Sequence, residues 1–250
     1  MTKETKDWWE SASADYQKES NIPIDIHYGP GSPNEKNLKL IGNVKDKNVL
    51  EIGCGGAQCS IAFAKQGAKV IGIDISEEQL KFAKELAERN KVNIKFYQGD
   101  IRKLPQIKSK SQDVVFSAFA LHYVDDLSSC FKEVYRVLKK GGIFVFSLDH
   151  PMYRTINSNT LKLKDSYFDT GKEVFTFSDP TKKFVCYKHT VSDLYETLLR
   201  AGFLVDKIIE PDSRKHYFYD PWYNLWDYKP KLLKMIPPTI IFRCVKRRYL

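Results

Sequence analysis

The chain has no pair of cysteines spaced as CxxC; its five, Cys54, Cys59, Cys130, Cys186 and Cys244, are odd in number and scattered. That pattern excludes a disulfide framework and a thiol-rich zinc site, so no metal is expected, and it suits a reducing, cytoplasmic compartment. No stretch approaches the ~20 consecutive apolar residues of a membrane helix, so no membrane partner is expected. The opening residues MTKETKDWWE place no apolar run behind their charges, unlike a secretory signal. Low complexity is absent too. With 42% hydrophobic and 13% aromatic residues, the 250-residue chain can bury one large core, which excludes a disordered class. Acids are missing from residues 231–250, which carry six Lys or Arg within an overall charge of +9. Such an end can meet nucleic acid or an anionic surface. Here it is short and strand-like, without the exposed aromatics of nucleic-acid binders, and a solvated edge is the expected reading.

What the chain does contain is an alternation of strand and helix. Residues 48–52 (NVLEI), 69–73 (KVIGI), 93–97, 113–117 (DVVFS) and 143–148 (IFVFSL) are apolar runs of strand length. Between them lie helical patterns over 57–66, over a stripe of Leu80, Ala83, Leu86 and Ala87, and over Leu127, Phe131, Val134 and Leu138. Ser76 and Gln79 predict a capping box, and Lys139, Lys140 and Gly141 a helix exit. Continuously apolar strands alternating with helices predict an α/β fold, a mostly parallel sheet with helices on both faces. Ligands of such sheets sit beyond the carboxyl ends of the strands. The flanks differ. Residues 7–18 predict an amphipathic helix bearing Trp8, Ala12 and Tyr16; Thr190 and Asp193 open another helix, and 203–209 and 239–245 are the last strands. The expected organisation is an N-terminal helical cap (1–43) and one catalytic-type domain (44–250), with insertions at about 152–189 and 212–238.

Chemistry concentrates at three strand ends. In VLEIGCGGAQCS, Glu51 precedes Gly53 and Gly55, which let the backbone turn sharply and approach a ligand. A nicotinamide fingerprint would need glycine at position 58, where Gln58 stands, and Glu51 would repel a pyrophosphate. A carboxylate there suits an ammonium or a sulfonium. Asp74, followed by Ile75, can take the hydroxyls of a ribose. Asp100, followed by Ile101, can accept from the exocyclic amine of an adenine. A cationic amino acid, a ribose and an adenine together describe S-adenosylmethionine.

Read in order, VLEIGCGG, VIGIDIS, FYQGDIRKLP, DVVFSAFALHYV and VYRVLKKGGIFVFSLDHP resemble the successive motifs of class I S-adenosylmethionine-dependent methyltransferases, closest to the small-molecule group. The resemblance is close over 44–151 and only in outline over 191–245. It implies a Rossmann-like seven-stranded sheet, order 3-2-1-4-5-7-6, with the last strand antiparallel. It also implies that Glu51, Gly53 and Gly55 hold the methionine part, Asp74 the ribose, and Asp100 the adenine with Ile75 and Ile101 beside it. Ser117, Ala118 and Phe119 would run past the sulfonium, and Tyr16 would cover the cofactor from the N-terminal helix.

In-line methyl transfer needs orientation and, for some acceptors, a base. His122 and His150, after the fourth and fifth strands, are the base candidates, with Asp149 as a strand-exit cap. Trp8, Tyr28, Tyr153, Tyr217, Tyr219 and Trp222 join Tyr16 as an expected aromatic cap from the N-terminal and C-terminal insertions, suited to a small or medium organic acceptor. The loop SAFA after the fourth strand lacks the proline-rich signature of base-amine methylation. RNA ribose or guanine methylation and non-catalytic cofactor binding are the alternatives kept.

Overall fold

The computed structural model describes residues 2–176, 183–214 and 229–247. Helix α1 (Lys3–Ser20) and the short α2 (Glu35–Leu38) precede the alternating core. The core runs β1 (Asn48–Ile52), α3 (Gln58–Lys65), β2 (Lys69–Asp74), α4 (Glu77–Arg89), β3 (Ile94–Gln98), β4 (Gln112–Ala118), α5 (Leu127–Val137) and β5 (Leu138–Asp149). A hairpin of β6 (Gly171–Thr176) and β7 (Lys183–Lys188) follows, then α6 (Val191–Arg200), β8 (Phe203–Ile209), α7 (Pro230–Leu233) and β9 (Thr239–Lys246). The sheet order is β3-β2-β1-β4-β5-β9-β8, with β9 antiparallel to both neighbours. This is the expected seven-stranded order.

Both sheet faces are buried, which explains the unbroken apolar strands. Leu50, Val115, Phe144, Phe146 and Phe242 point to one side and pack with Phe131 and Val134 of α5 and Leu194 and Leu198 of α6. Val49, Phe116, Val145 and Ile241 point to the other and pack with Phe63 of α3 and the loop residues Tyr28 and Leu40. Each fully buried side chain of this size contributes roughly 1.5–3 kcal/mol.

Several local expectations are corrected. Helix α5 ends at Val137, and Leu138 already pairs with Gln112, while Val114 pairs with Ile143. Gly141, at φ 71°, therefore serves a bulge inside β5 and not a helix exit, and Lys139 pairs with Asp113 at 2.8 Å. Ser76 caps α4 through the Gln79 N–H, but Gln79 does not return its side chain to close a box. The box at Thr190 and Asp193 is complete. The inward face of α1 is polar: Thr5, Ser13, Gln17 and Ser20 are its buried residues, while Trp8, Ala12 and Tyr16 are half-buried. Tyr28 is a core residue, its hydroxyl donating to Glu35 at 2.5 Å. The aromatic cluster that is described joins Trp8 and Trp9 of α1 to Tyr123, Phe175 and Phe184. Tyr217, Tyr219 and Trp222 lie outside the described residues.

Candidate active site

Beyond the carboxyl ends of β1, β2 and β4 opens a cleft lined by residues of the glycine turn, of the strand ends and of α1. Its floor is the turn after β1. Gly53 has φ +65°, and a Cβ there would sit 2.4 Å from Ala120 Cβ, so only glycine fits. Phe119, which lines the cleft, is a non-glycine residue held left-handed at φ 58°.

Glu51 is 3% exposed and accepts from Ser60 Oγ at 2.5 Å. Burial pushes its carboxyl up to about 8; Ser60 opposes this, and the charge of Asp74 adds to it. Asp74 accepts from the N–H of Gly55 at 2.8 Å and of Ser76 at 2.9 Å, tying the end of β2 to the glycine turn. Burial raises its carboxyl as well, against those backbone donors. Two carboxyl groups with raised values thus stand on one cleft, neither ion-paired to a Lys or Arg among the described residues. Ile75, Ile101 and Ala118 line the cleft as apolar walls, and Tyr16 and Trp9, 5.2 Å apart edge to face, close it from α1.

Four expected residues are not among those lining the cleft. Asp100 is held by Arg102 at 2.6 Å, and Arg102 also reaches Asp125 at 2.8 Å. Burial works against ionisation of Asp100, yet the guanidinium holds its carboxyl down at about 2. An arginine two residues on thus engages this third carboxylate, and Asp100 is not among the residues lining the cleft. Ser117 sits behind the wall, donating to the Ile52 carbonyl at 2.9 Å. His150 lies under β8: its Nδ1 accepts the Met152 N–H at 3.1 Å and its Nε2 donates to Glu210 at 2.7 Å, so both nitrogens are engaged. His122 is 2% exposed, and its Nδ1 has no hydrogen-bond partner among the described residues. Burial, with Arg154 and His189 adding and Asp149 opposing, lowers it to about 4. Its ring lies 4.0 Å from that of Tyr123, which lines the cleft.

Sequence reasoning missed the amides. Gln58 Nε2 donates to Gln17 Oε1 at 2.8 Å, and Gln17 Nε2 donates to Gln79 Oε1 at 2.8 Å; all three line the cleft. Their signal was glutamine in the first turn of both helices that follow β1 and β2.

Residues 43–201 match a family model described as a methyltransferase domain, more than half of the chain. The chain belongs to the methyltransferase-domain family. Its sheet order and glycine turn make it a class I S-adenosylmethionine-dependent methyltransferase. A Listeria monocytogenes structure provisionally described as an S-adenosylmethionine-dependent methyltransferase superposes with a TM-score of 0.68 at 27% identity, covering 85% of this chain and 96% of the other. An uncharacterised Haemophilus influenzae protein is 28% identical over 212 residues, 78% of this chain and 82% of its own. The ubiquinone biosynthesis O-methyltransferase of Serratia proteamaculans is 32% identical over 123 residues. That match spans about half of each chain, 49% of this methyltransferase and 48% of the relative. The residues fit the cofactor: Glu51 is buried without a cationic partner among the described residues, where an ammonium could sit, and Asp74 stands at the neighbouring strand tip, where hydroxyls could reach it. Among the described residues no group of three or more His, Cys, Asp or Glu is arranged to hold a metal, and no helix is long and apolar enough to cross a membrane.

Proposed function

We propose that this methyltransferase acts on a small or medium organic acceptor by in-line displacement. The observation that carries the reading is the enclosed cleft with two raised carboxyl groups at neighbouring strand tips and aromatic rings on its outer wall. The likeness to a ubiquinone biosynthesis O-methyltransferase supports a small acceptor bearing oxygen. Bound S-adenosylmethionine supplies an electrophilic methyl group on a sulfonium. Glu51 and the turn at Gly53 and Gly55 hold its amino-acid part, Asp74 its ribose, and Ile75 and Ile101 its adenine. Ala118 and the strained Phe119 orient the reacting end, and Tyr16 and Trp9 exclude water; orientation of this kind contributes up to ~7–11 kcal/mol.

His122 is the base favoured over His150, because its Nδ1 has no hydrogen-bond partner among the described residues and its ring packs on Tyr123, which lines the cleft. With its value near 4, the imidazole is neutral throughout the physiological range, so kcat at saturating S-adenosylmethionine is expected to be flat from pH 6 to 8. His122→Gln is expected to lower kcat about 10²-fold with unchanged affinity for S-adenosylhomocysteine; an unchanged kcat removes it as the base. For the acceptor class, methyl-labelled S-adenosylmethionine is incubated with the purified protein and fractionated cell extract. Label should enter the low-molecular-weight, solvent-extractable pool. Label that nuclease releases from RNA would overturn the reading.

A further inference from the structure

Resting on the assignment of the cleft to S-adenosylmethionine, we propose that Gln17 is a positioning residue that couples docking of the N-terminal helix to occupancy of the cleft. Helix α1 lies over the cleft on a polar face, with Thr5, Ser13, Gln17 and Ser20 buried. Gln17 is the keystone of that face. Its amide bridges Gln58 of α3 and Gln79 of α4, each at 2.8 Å, so one side chain ties α1 to both helices that open at the cleft.

Gly56 supplies an independent observation. A Cβ at this glycine would lie 2.6 Å from Gln17 Oε1. Its φ is not in the left-handed region, so the backbone there would accept other residues. The missing side chain at position 56 serves the approach of Gln17. A second tie is made by Glu10 of α1. It accepts from the N–H groups of Glu77 at 2.9 Å and Glu78 at 3.1 Å and from Ser76 Oγ at 3.2 Å, placing an acid at the N-terminus of α4. Glu10 itself does not line the cleft.

The cleft is walled on one side by Trp9, Tyr16 and Gln17, and on the other by Gly55, Gln58 and Asp74. A molecule filling it touches both walls, so it binds the docked helix more tightly than the undocked one. Coupling of this kind is reciprocal: the helix must favour the ligand by the factor with which the ligand favours the helix.

The test uses S-adenosylhomocysteine, with calorimetry for affinity and hydrogen exchange over residues 3–20 for docking. In the unaltered chain, saturating ligand should raise the protection of α1. Gln17→Ala and Gly56→Ala should each weaken binding about tenfold and reduce the ligand-induced protection by the same factor. Glu10→Ala should weaken binding from outside the cleft. Gln17→Glu should retain affinity and protection within about twofold, because its carboxyl group can receive N–H donors from both neighbouring amides. Thermal melts confirm that the variants fold, and Gly56→Ala moves only the flexible end of Gln17. Unaltered affinity in Gln17→Ala, or α1 exchange indifferent to ligand, overturns the coupling while leaving the cofactor assignment standing. Failure of the unaltered chain to bind S-adenosylhomocysteine overturns the assignment itself and the coupling with it.

Discussion

Glu51 puts function and stability in opposition at one side chain. An unperturbed Glu titrates at about 4.3, whereas burial carries this one up to about 8. Between those values the native state keeps a proton that the unfolded chain releases, so this residue makes the ligand-free protein less stable as pH rises through that window. Glu51→Gln is therefore expected to raise Tm at pH 8 and to leave it nearly unchanged at pH 4, each kcal/mol recovered being worth roughly 2–4 °C. The same variant should bind S-adenosylmethionine at least tenfold more weakly, since a cation loses its carboxylate. Native affinity for S-adenosylmethionine should rise from pH 6 to 8 and become flat in the variant. Melts at the two pH values and calorimetric titrations check both arms; equal Tm at pH 8 would remove the argument. That Glu51 and Asp74 stand together on one cleft was legible because each ends a strand that meets a turn. The place of Asp100 was not, because the salt bridge that engages it is made by Arg102, and a sequence motif carries no side-chain direction.

At the scale of elements, the two predicted capping boxes show what local pattern can decide. Thr190 and Asp193 exchange both hydrogen bonds, and among the described residues neither side chain has another hydrogen-bond partner. Thr190→Ala should cost about 1 kcal/mol. A fall in Tm of a few degrees is expected, with affinity for S-adenosylhomocysteine unchanged because α6 packs against α5 and β8 away from the cleft; a change in affinity would show that α6 reaches the site. At α4 the same signature fails. Gln79 is drawn away by Gln17, 62 residues earlier, and Glu10 supplies the acid at the helix start. The orientation of α1 failed likewise: its aromatic stripe suggested an apolar inner face, but the hydroxyls and amides on the buried face find partners within the helix and on the opposing turns, so burying them is not penalised.

Over the whole molecule, two cores lie on opposite faces of one sheet, and the five buried cysteines report on their packing. Every one is buried and unpaired, and burial pushes each thiol up, keeping it protonated and unreactive. Iodoacetamide at pH 8 should label none of them in native buffer and all five in denaturant, while reductant leaves Tm unchanged. Labelling of Cys54 or Cys59 alone would show that the cleft opens apart from the core. The succession of strands and helices, the burial of the strands on both faces and the acids at the strand ends followed from periodicity and turn chemistry, because those depend on neighbours within a few residues; the order of the strands across the sheet was implied by the family resemblance. Which carboxylates share the cleft, which histidine keeps an open nitrogen and how the N-terminal helix is fastened were decided only by packing. Each depends on a partner dozens of residues away, and competition among distant hydrogen-bond partners leaves no mark on local sequence.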